Sequence, residues 1–356
     1  MRLLLVHTGG TLMMRGGDTA PLAPDVYTRD LLAELPVLRK IAEIETRILF
    51  NLDSSNIQPH HWVALAATVH EALGHVRDSG SASGAPSARS APSRALPRYD
   101  GVVVVHGTDT MAYTASALAF LLPGLDRPVI LTGSQRPLVD VRTDARNNLV
   151  DACHLATMPI PEVAIAFDSK LLRGCRATKL DAWGMSAFGS PTCPALAELG
   201  IGVQLAPHVL SARPIEPFDA RIEARVLAVR AFPGLDPKLL LGALASGVRG
   251  MVIEAFGSGN VPVMENSLIP VIEAARGVDV PVVIVSQSPR GAVDLARYEG
   301  GVAAAKAGAI GAGDMTTEAA LTKLMVTLGR VSEASSGGRI LAARDAFATV
   351  RVGEMS

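Results

Sequence analysis

Two short segments place hydroxyl groups where a chain can use them as nucleophiles. His7-Thr8-Gly9-Gly10-Thr11 follows the apolar run Leu3-Leu4-Leu5-Val6. His106-Gly107-Thr108-Asp109-Thr110 follows Val102-Val103-Val104-Val105. A continuous apolar run suits a strand covered on both faces, as in a parallel sheet. Each run stops at a glycine-bearing turn, and in open α/β sheets ligands bind beyond the carboxyl ends of strands. Two such turns can meet at one sheet edge, with Thr11 and Thr108 as candidate nucleophiles. Gly9 and Gly10 let the backbone approach a ligand closely and expose amide donors. A turn threonine can also cap a helix, so the residues alone leave both roles open for Thr11.

The elements that must position these turns follow from periodicity and punctuation. Strand signals at 45–52, 128–131 and 163–167 alternate with helix signals at 26–35, 59–76, 111–122 and 144–156. Pro59 is a good helix start. This alternation predicts an α/β fold: a larger N-terminal domain with a mainly parallel sheet flanked by helices. Linker composition appears around 207–217, after which strand signals resume at 226–230, 250–256 and 281–285, predicting a smaller C-terminal α/β domain. The expected boundaries are 1–206, a linker at 207–223, and 224–356. Residues 78–98 are almost wholly Ser, Ala, Gly, Pro and Arg without apolar periodicity, a composition expected to be a disordered insertion.

A length of 356 residues suits two domains, and 49% apolar residues is ample for their cores. The formal net charge of -1, without clustered basic residues, argues against nucleic acid as a partner. No apolar run approaches the ~18 residues of a membrane span, and Gly9-Gly10 interrupts the first apolar run too early for a secretory signal. Cys153, Cys175 and Cys193 are odd in number and lack metal-ligand spacing, the pattern of reduced thiols in a cytoplasmic protein. Gly257-Ser258-Gly259-Asn260 is too short for a dinucleotide fingerprint, and Pro262 sits where its helix should be under way. No metal and no organic cofactor is expected.

The two threonine segments resemble the TGGT and HGTDTM motifs of the bacterial-type L-asparaginases. The resemblance continues through Leu52-Asp53-Ser54-Ser55-Asn56-Ile57, Thr132-Gly133-Ser134-Gln135 and Arg173-Gly174-Cys175-Arg176-Ala177-Thr178-Lys179. It extends to Gly257-Ser258-Gly259-Asn260 and Gly313-Asp314-Met315-Thr316-Thr317-Glu318-Ala319. It covers nearly all of 1–350, and the order and spacing fit the cytoplasmic, type I branch best. The resemblance implies hydrolysis of L-asparagine to L-aspartate and ammonia without a cofactor, in a dimer or tetramer. It implies Thr11, Thr108, Asp109 and Lys179 as catalytic residues, and Gly10, Asp53, Ser54, Ser55, Thr108, Asp109 and Asn260 as substrate contacts. A lysine beside a carboxylate keeps its charge unless desolvation removes it, so sequence leaves open whether Lys179 accepts the Thr108 proton or only polarises that hydroxyl. His106 is expected to be a satisfied residue at a strand end.

Two positions depart from the family pattern. Relatives carry a tyrosine in the loop after the first threonine, where this chain has Pro21-Leu22-Ala23-Pro24; the nearest tyrosine is Tyr27. Effector-controlled type I enzymes carry an arginine before the aromatic-Gly-x-Gly-Asn turn, where this chain has Glu254. An acidic group there repels an amino-acid carboxylate and argues against activation by asparagine. Two other readings fit the same chain: an amidohydrolase acting on glutamine or on an aminoacyl-tRNA amide, and a catalytically weak amino-acid sensor.

Overall fold

A computed structural model describes residues 1–13, 31, 33–74, 99–214, 216–331 and 338–356. Pro21 to Pro24, Tyr27, most of the expected helix at 26–35 and the 78–98 insertion lie outside the described residues.

The N-terminal part contains β1 (Arg2–Gly9), β2 (Glu43–Leu52), α1 (Pro59–Ala72), β3 (Gly101–Val105), α2 (Met111–Leu121), β4 (Val129–Thr132), α3 (Ala145–Leu155) and β5 (Val163–Phe167). It continues through β6 (Lys170–Arg173), β7 (Thr178–Lys179), β8 (Phe188–Gly189), β9 (Ala197–Leu199) and β10 (Val203–Leu205). Eight strands form one sheet in the order β10-β9-β6-β5-β4-β3-β1-β2. The run from β2 to β5 is parallel, as the alternation predicts. Leu3 to Val6 and Val102 to Val105 are fully buried, consistent with strands covered on both faces.

The antiparallel edge β6-β9-β10 is not anticipated by the sequence pattern. It begins at a two-residue hairpin loop in which Asp168 and Ser169 adopt φ of 49° and 55°. Positive φ at both loop residues is the geometry that reverses a twisted strand tightly. The expected helix at 59–76 is shorter, ending at Ala72.

The C-terminal part contains β11 (Val226–Arg230), α4 (Pro237–Ala245), β12 (Gly250–Ala255), α5 (Ile269–Gly277), β13 (Val282–Ser286), α6 (Glu299–Ala307), β14 (Ile310–Gly311), α7 (Thr317–Arg330) and α8 (Gly338–Phe347). Its four-stranded sheet, β11-β12-β13-β14, is parallel throughout. One apolar cluster runs from Val102, Leu118 and Phe120 to Leu324, Val252 and Val283, so the two sheets share a core across α2 and α7. The described residues between β10 and β11 form neither helix nor strand, yet they are tied down: His208 O accepts from Arg173 at 2.8 Å and Leu210 N donates to Glu162 at 2.6 Å.

Candidate active site

The ends of β1, β2 and β3 converge through backbone contact that leaves no room for side chains. Gly9 and Gly10 take φ of 118° and 90°, conformations that favour glycine. A Cβ on Gly10 would lie 2.6 Å from the Gly107 Cα, and one on Gly107 would lie 2.7 Å from the Ser54 side chain. The turns bearing Thr11, Thr108 and Ser54 therefore touch. Thr110 Oγ1 donates to Ser54 O at 2.7 Å and locks the second turn to the third. Thr11 opens a 3₁₀ turn, Thr11–Met13, and is half-buried.

His106 fixes the turn that carries Thr108. Its ring lies 2.7 Å from Gly107 O through Nδ1 and 2.9 Å from Thr114 Oγ1 through Nε2. A carbonyl can only accept, so Nδ1 carries the proton and Nε2 accepts from the Thr114 hydroxyl. That hydroxyl in turn accepts from Trp62 Nε1 at 3.0 Å. Burial lowers the His106 pKa from 6.5 to about 4 and keeps the ring neutral. The expectation of a satisfied strand-end histidine holds.

Lys179 arrives from far along the chain. After the β5–β6 hairpin, the 3₁₀ turn Gly174–Arg176 packs Gly174 against Ala115 of α2, and β7 then carries Lys179 to the threonine turn. Its Nζ donates to Thr108 Oγ1 at 2.8 Å and to Asp109 Oδ1 at 2.6 Å. The Lys179 side chain is 19% exposed and that of Asp109 is 64% exposed, so the pair sits at an open mouth. The Thr108 hydroxyl donates onward to Gln135 Oε1 at 3.1 Å.

Gln135 joins the candidate site through Thr108, a role that the sequence motifs do not assign. Its amide donates to Gly184 O at 3.2 Å, and its backbone N–H donates to Asp144 Oδ2 at 2.9 Å. The available signal was its position: Gln135 follows β4, the parallel neighbour of β3, by a few residues.

Asp53 and Ser55 form an Asx turn. The Ser55 amide and hydroxyl donate to Asp53 Oδ1 at 2.8 and 2.7 Å, and these bonds hold the Asp53 carboxyl below its usual value. Both side chains are exposed while Ser54 is buried. Asn260 lies elsewhere, in the turn after β12, where its backbone pairs with Phe256 and its Oδ1 packs against Gly300. Glu254 lines a separate cleft of about 180 Å³ with Asp314, Glu318 and Thr178. Among the described residues no group of three or more His, Cys, Asp or Glu is placed to hold a metal ion. None of the described helices is long and apolar enough to cross a membrane.

A parallel sheet whose strand ends gather threonines, a carboxylate and a lysine has counterparts among known proteins. Residues 2–79 and 89–210 match the model described as "Asparaginase, N-terminal". Residues 225–337 match "Glutaminase/Asparaginase C-terminal domain". L-asparaginase of Thermococcus kodakarensis is 38% identical over 341 residues, covering 94% of each chain. L-asparaginase 1 of Escherichia coli K12 is 34% identical over 335 residues, covering 90% of each. The solved thermostable L-asparaginase from Thermococcus kodakarensis superposes with a TM-score of 0.84 at 36% identity, covering 100% of this chain and 99% of that one. The chain belongs to the asparaginase family.

Proposed function

We propose that this chain hydrolyses the side-chain amide of L-asparagine to L-aspartate and ammonia, with Thr11 as nucleophile and Thr108, Asp109 and Lys179 handling protons. One observation carries the reading: Lys179 Nζ bridges Thr108 Oγ1 and Asp109 Oδ1 where the two glycine-bearing turns touch. Family membership supports the reaction class.

Thr11 Oγ attacks the amide carbon, and the carbonyl electron pair moves to oxygen, stabilised by nearby backbone N–H groups. The nucleophile's proton passes through the Thr108–Lys179 set to the leaving nitrogen. The C–N bond breaks, ammonia departs, and an ester to Thr11 remains. Water gives a proton to the same set and attacks the ester. The C–O bond breaks, returning the hydroxyl to Thr11 and releasing aspartate. The Asp109 and Asp53 carboxylates, the Ser54 and Ser55 hydroxyls and the Gly10 backbone suit the substrate's ammonium and carboxylate groups. Asn260 is the contact reserved for the site of a neighbouring copy.

Ammonia release from L-asparagine, L-glutamine and D-asparagine, run beside calorimetric binding, tests the reading. L-asparagine should be the preferred substrate. Thr11→Val, Thr108→Val and Lys179→Met should each lose turnover while remaining folded. Full turnover in folded Thr108→Val removes that hydroxyl from the mechanism, and undiminished turnover in Thr11→Val removes the nucleophile assignment. Glutamine preferred over asparagine would favour the second substrate, which the description of the C-terminal match also names. Binding without turnover would favour a sensor.

A cytoplasmic location belongs to the same reading, supported by three cysteines that form no disulfide. So does self-association as a dimer or tetramer. Trp183, 95% exposed, and Leu180, 59% exposed, lie just beyond Lys179 and suit a covered face. Sedimentation of the purified protein decides the assembly size.

A further inference from the structure

The strand that presents Lys179 is too short to hold itself in place. β7 has two residues and pairs only with the two of β8, and so brief a ladder is weak. Further ties reach it from the C-terminal part. Thr178 Oγ1 donates to Glu318 Oε1 at 2.6 Å. Two residues upstream, the Arg176 guanidinium binds Asp314 through Nη1–Oδ1 at 2.9 Å and Nη2–Oδ2 at 2.6 Å. Both ties reach the segment 314–318, ahead of and within the first turn of α7, whose N-cap Thr316 hydroxyl accepts from Ala319 N.

Successive strand residues point to opposite faces. A bond from Thr178 to Glu318 on one side therefore sets the roll of β7 and the direction of Lys179 on the other. Burial raises the Glu318 carboxyl, the Thr178 hydroxyl opposes that shift, and nearby Glu254 adds to it. Tyr113 of α2 also faces Glu318, and Asp314 lines the same cleft. Among the described residues no lysine or arginine pairs with Glu318 at ion-pair distance, so its carboxylate is a costly group to bury, and its hydroxyl partners are Thr178, the neighbour of Lys179, and the N-cap Thr316.

We propose that Glu318 is a positioning residue for Lys179, acting through the Thr178 hydroxyl, so that the C-terminal part aims a catalytic group of the N-terminal site. This rests on Lys179 taking part in turnover. The test uses the full chain with L-asparagine. Glu318→Leu and Thr178→Val should each lower kcat about tenfold with KM within about twofold. Glu318→Gln, whose amide oxygen still accepts, and Thr178→Ser, whose hydroxyl still donates, should restore most of the rate. The double variant Thr178→Val/Glu318→Leu should be no slower than the slower single, because either single already removes the bond they share. Multiplying losses, a loss carried by KM, or an unchanged kcat in either folded single overturns the proposal. If Glu318→Leu does not fold, the Thr178→Val and Thr178→Ser pair decides alone. Lys179→Met run in parallel separates the two readings: if it keeps its turnover, the role of Lys179 fails, whatever Glu318 does.

Discussion

At the scale of residues, the candidate site is a chain of donors and acceptors with one weakly specified member. Lys179 donates to Thr108, and Thr108 donates to Gln135, so the resting threonine proton points away from the lysine. Gln135→Leu frees that proton and leaves Gly184 O without its donor. The expected result is a kcat about 10–100-fold lower with a stability loss near 1 kcal/mol, read by steady-state kinetics and denaturant titration. The buried histidines predict a pH dependence. Burial lowers both His7 and His106 from 6.5 to about 4. Above pH 6.5 neither folded nor unfolded chain binds these protons. Between 6.5 and 4 the unfolded chain binds them and the folded chain does not, so stability falls as pH falls; below about 4 both bind and the slope vanishes. Each histidine contributes roughly 3 kcal/mol across that window. Urea midpoints measured from pH 7 down to pH 4.5 should fall in wild type and fall less in His106→Gln. Equal slopes would mean that the ring is not held neutral in the folded protein.

At the scale of elements, the site depends on turns that interlock backbone to backbone. Gly10→Ala places a methyl 2.6 Å from the Gly107 backbone at a φ of 90°. It should cost more than about 2 kcal/mol and most of the activity. Gly202→Ala, with nothing within 4 Å of the added carbon, is the matched control and should be neutral in a thermal melt. Elements of this kind also decide what could be read in advance. The buried parallel strands were legible because Leu3 to Val6 and Val102 to Val105 are continuous apolar runs. The threonine turns were legible because glycine follows shortly after such runs, at Gly9 and Gly107. The edge strands β6, β9 and β10 were not: each has only three or four residues. The hairpin that leads from β5 into β6 turns at Asp168-Ser169, without the glycine that usually marks positive φ. Lys179 was legible only by resemblance, because a two-residue strand has no periodicity. Gln135 lay in view as a polar residue beyond a buried strand, but its role needed the Thr108 distance.

At the scale of the whole molecule, one buried cation joins the parts. Arg176 is 1% exposed and binds Asp314, Thr192 O, Glu354 O and the Ser356 hydroxyl. Burial alone would raise the Asp314 carboxyl, but the guanidinium together with the Ser356 amide and hydroxyl holds it at about 2. Arg176→Leu strands that carboxylate and should cost about 3–5 kcal/mol, visible as a lower thermal midpoint; a midpoint unchanged from wild type would show that the network carries little energy. Lys323, buried against Glu354, fastens the same tail to α7. Residues 354–356 thus complete the surroundings of a segment made much earlier, and this gives the molecule an order of assembly in time. When Lys179 leaves a ribosome, its Arg176 anchor still awaits Asp314, Glu354 and Ser356. At about 5–20 residues per second, those partners follow after roughly 10–35 s. The N-terminal sheet can form in that interval, while the bonds that hold Arg176 wait until residues 314–356 have been made.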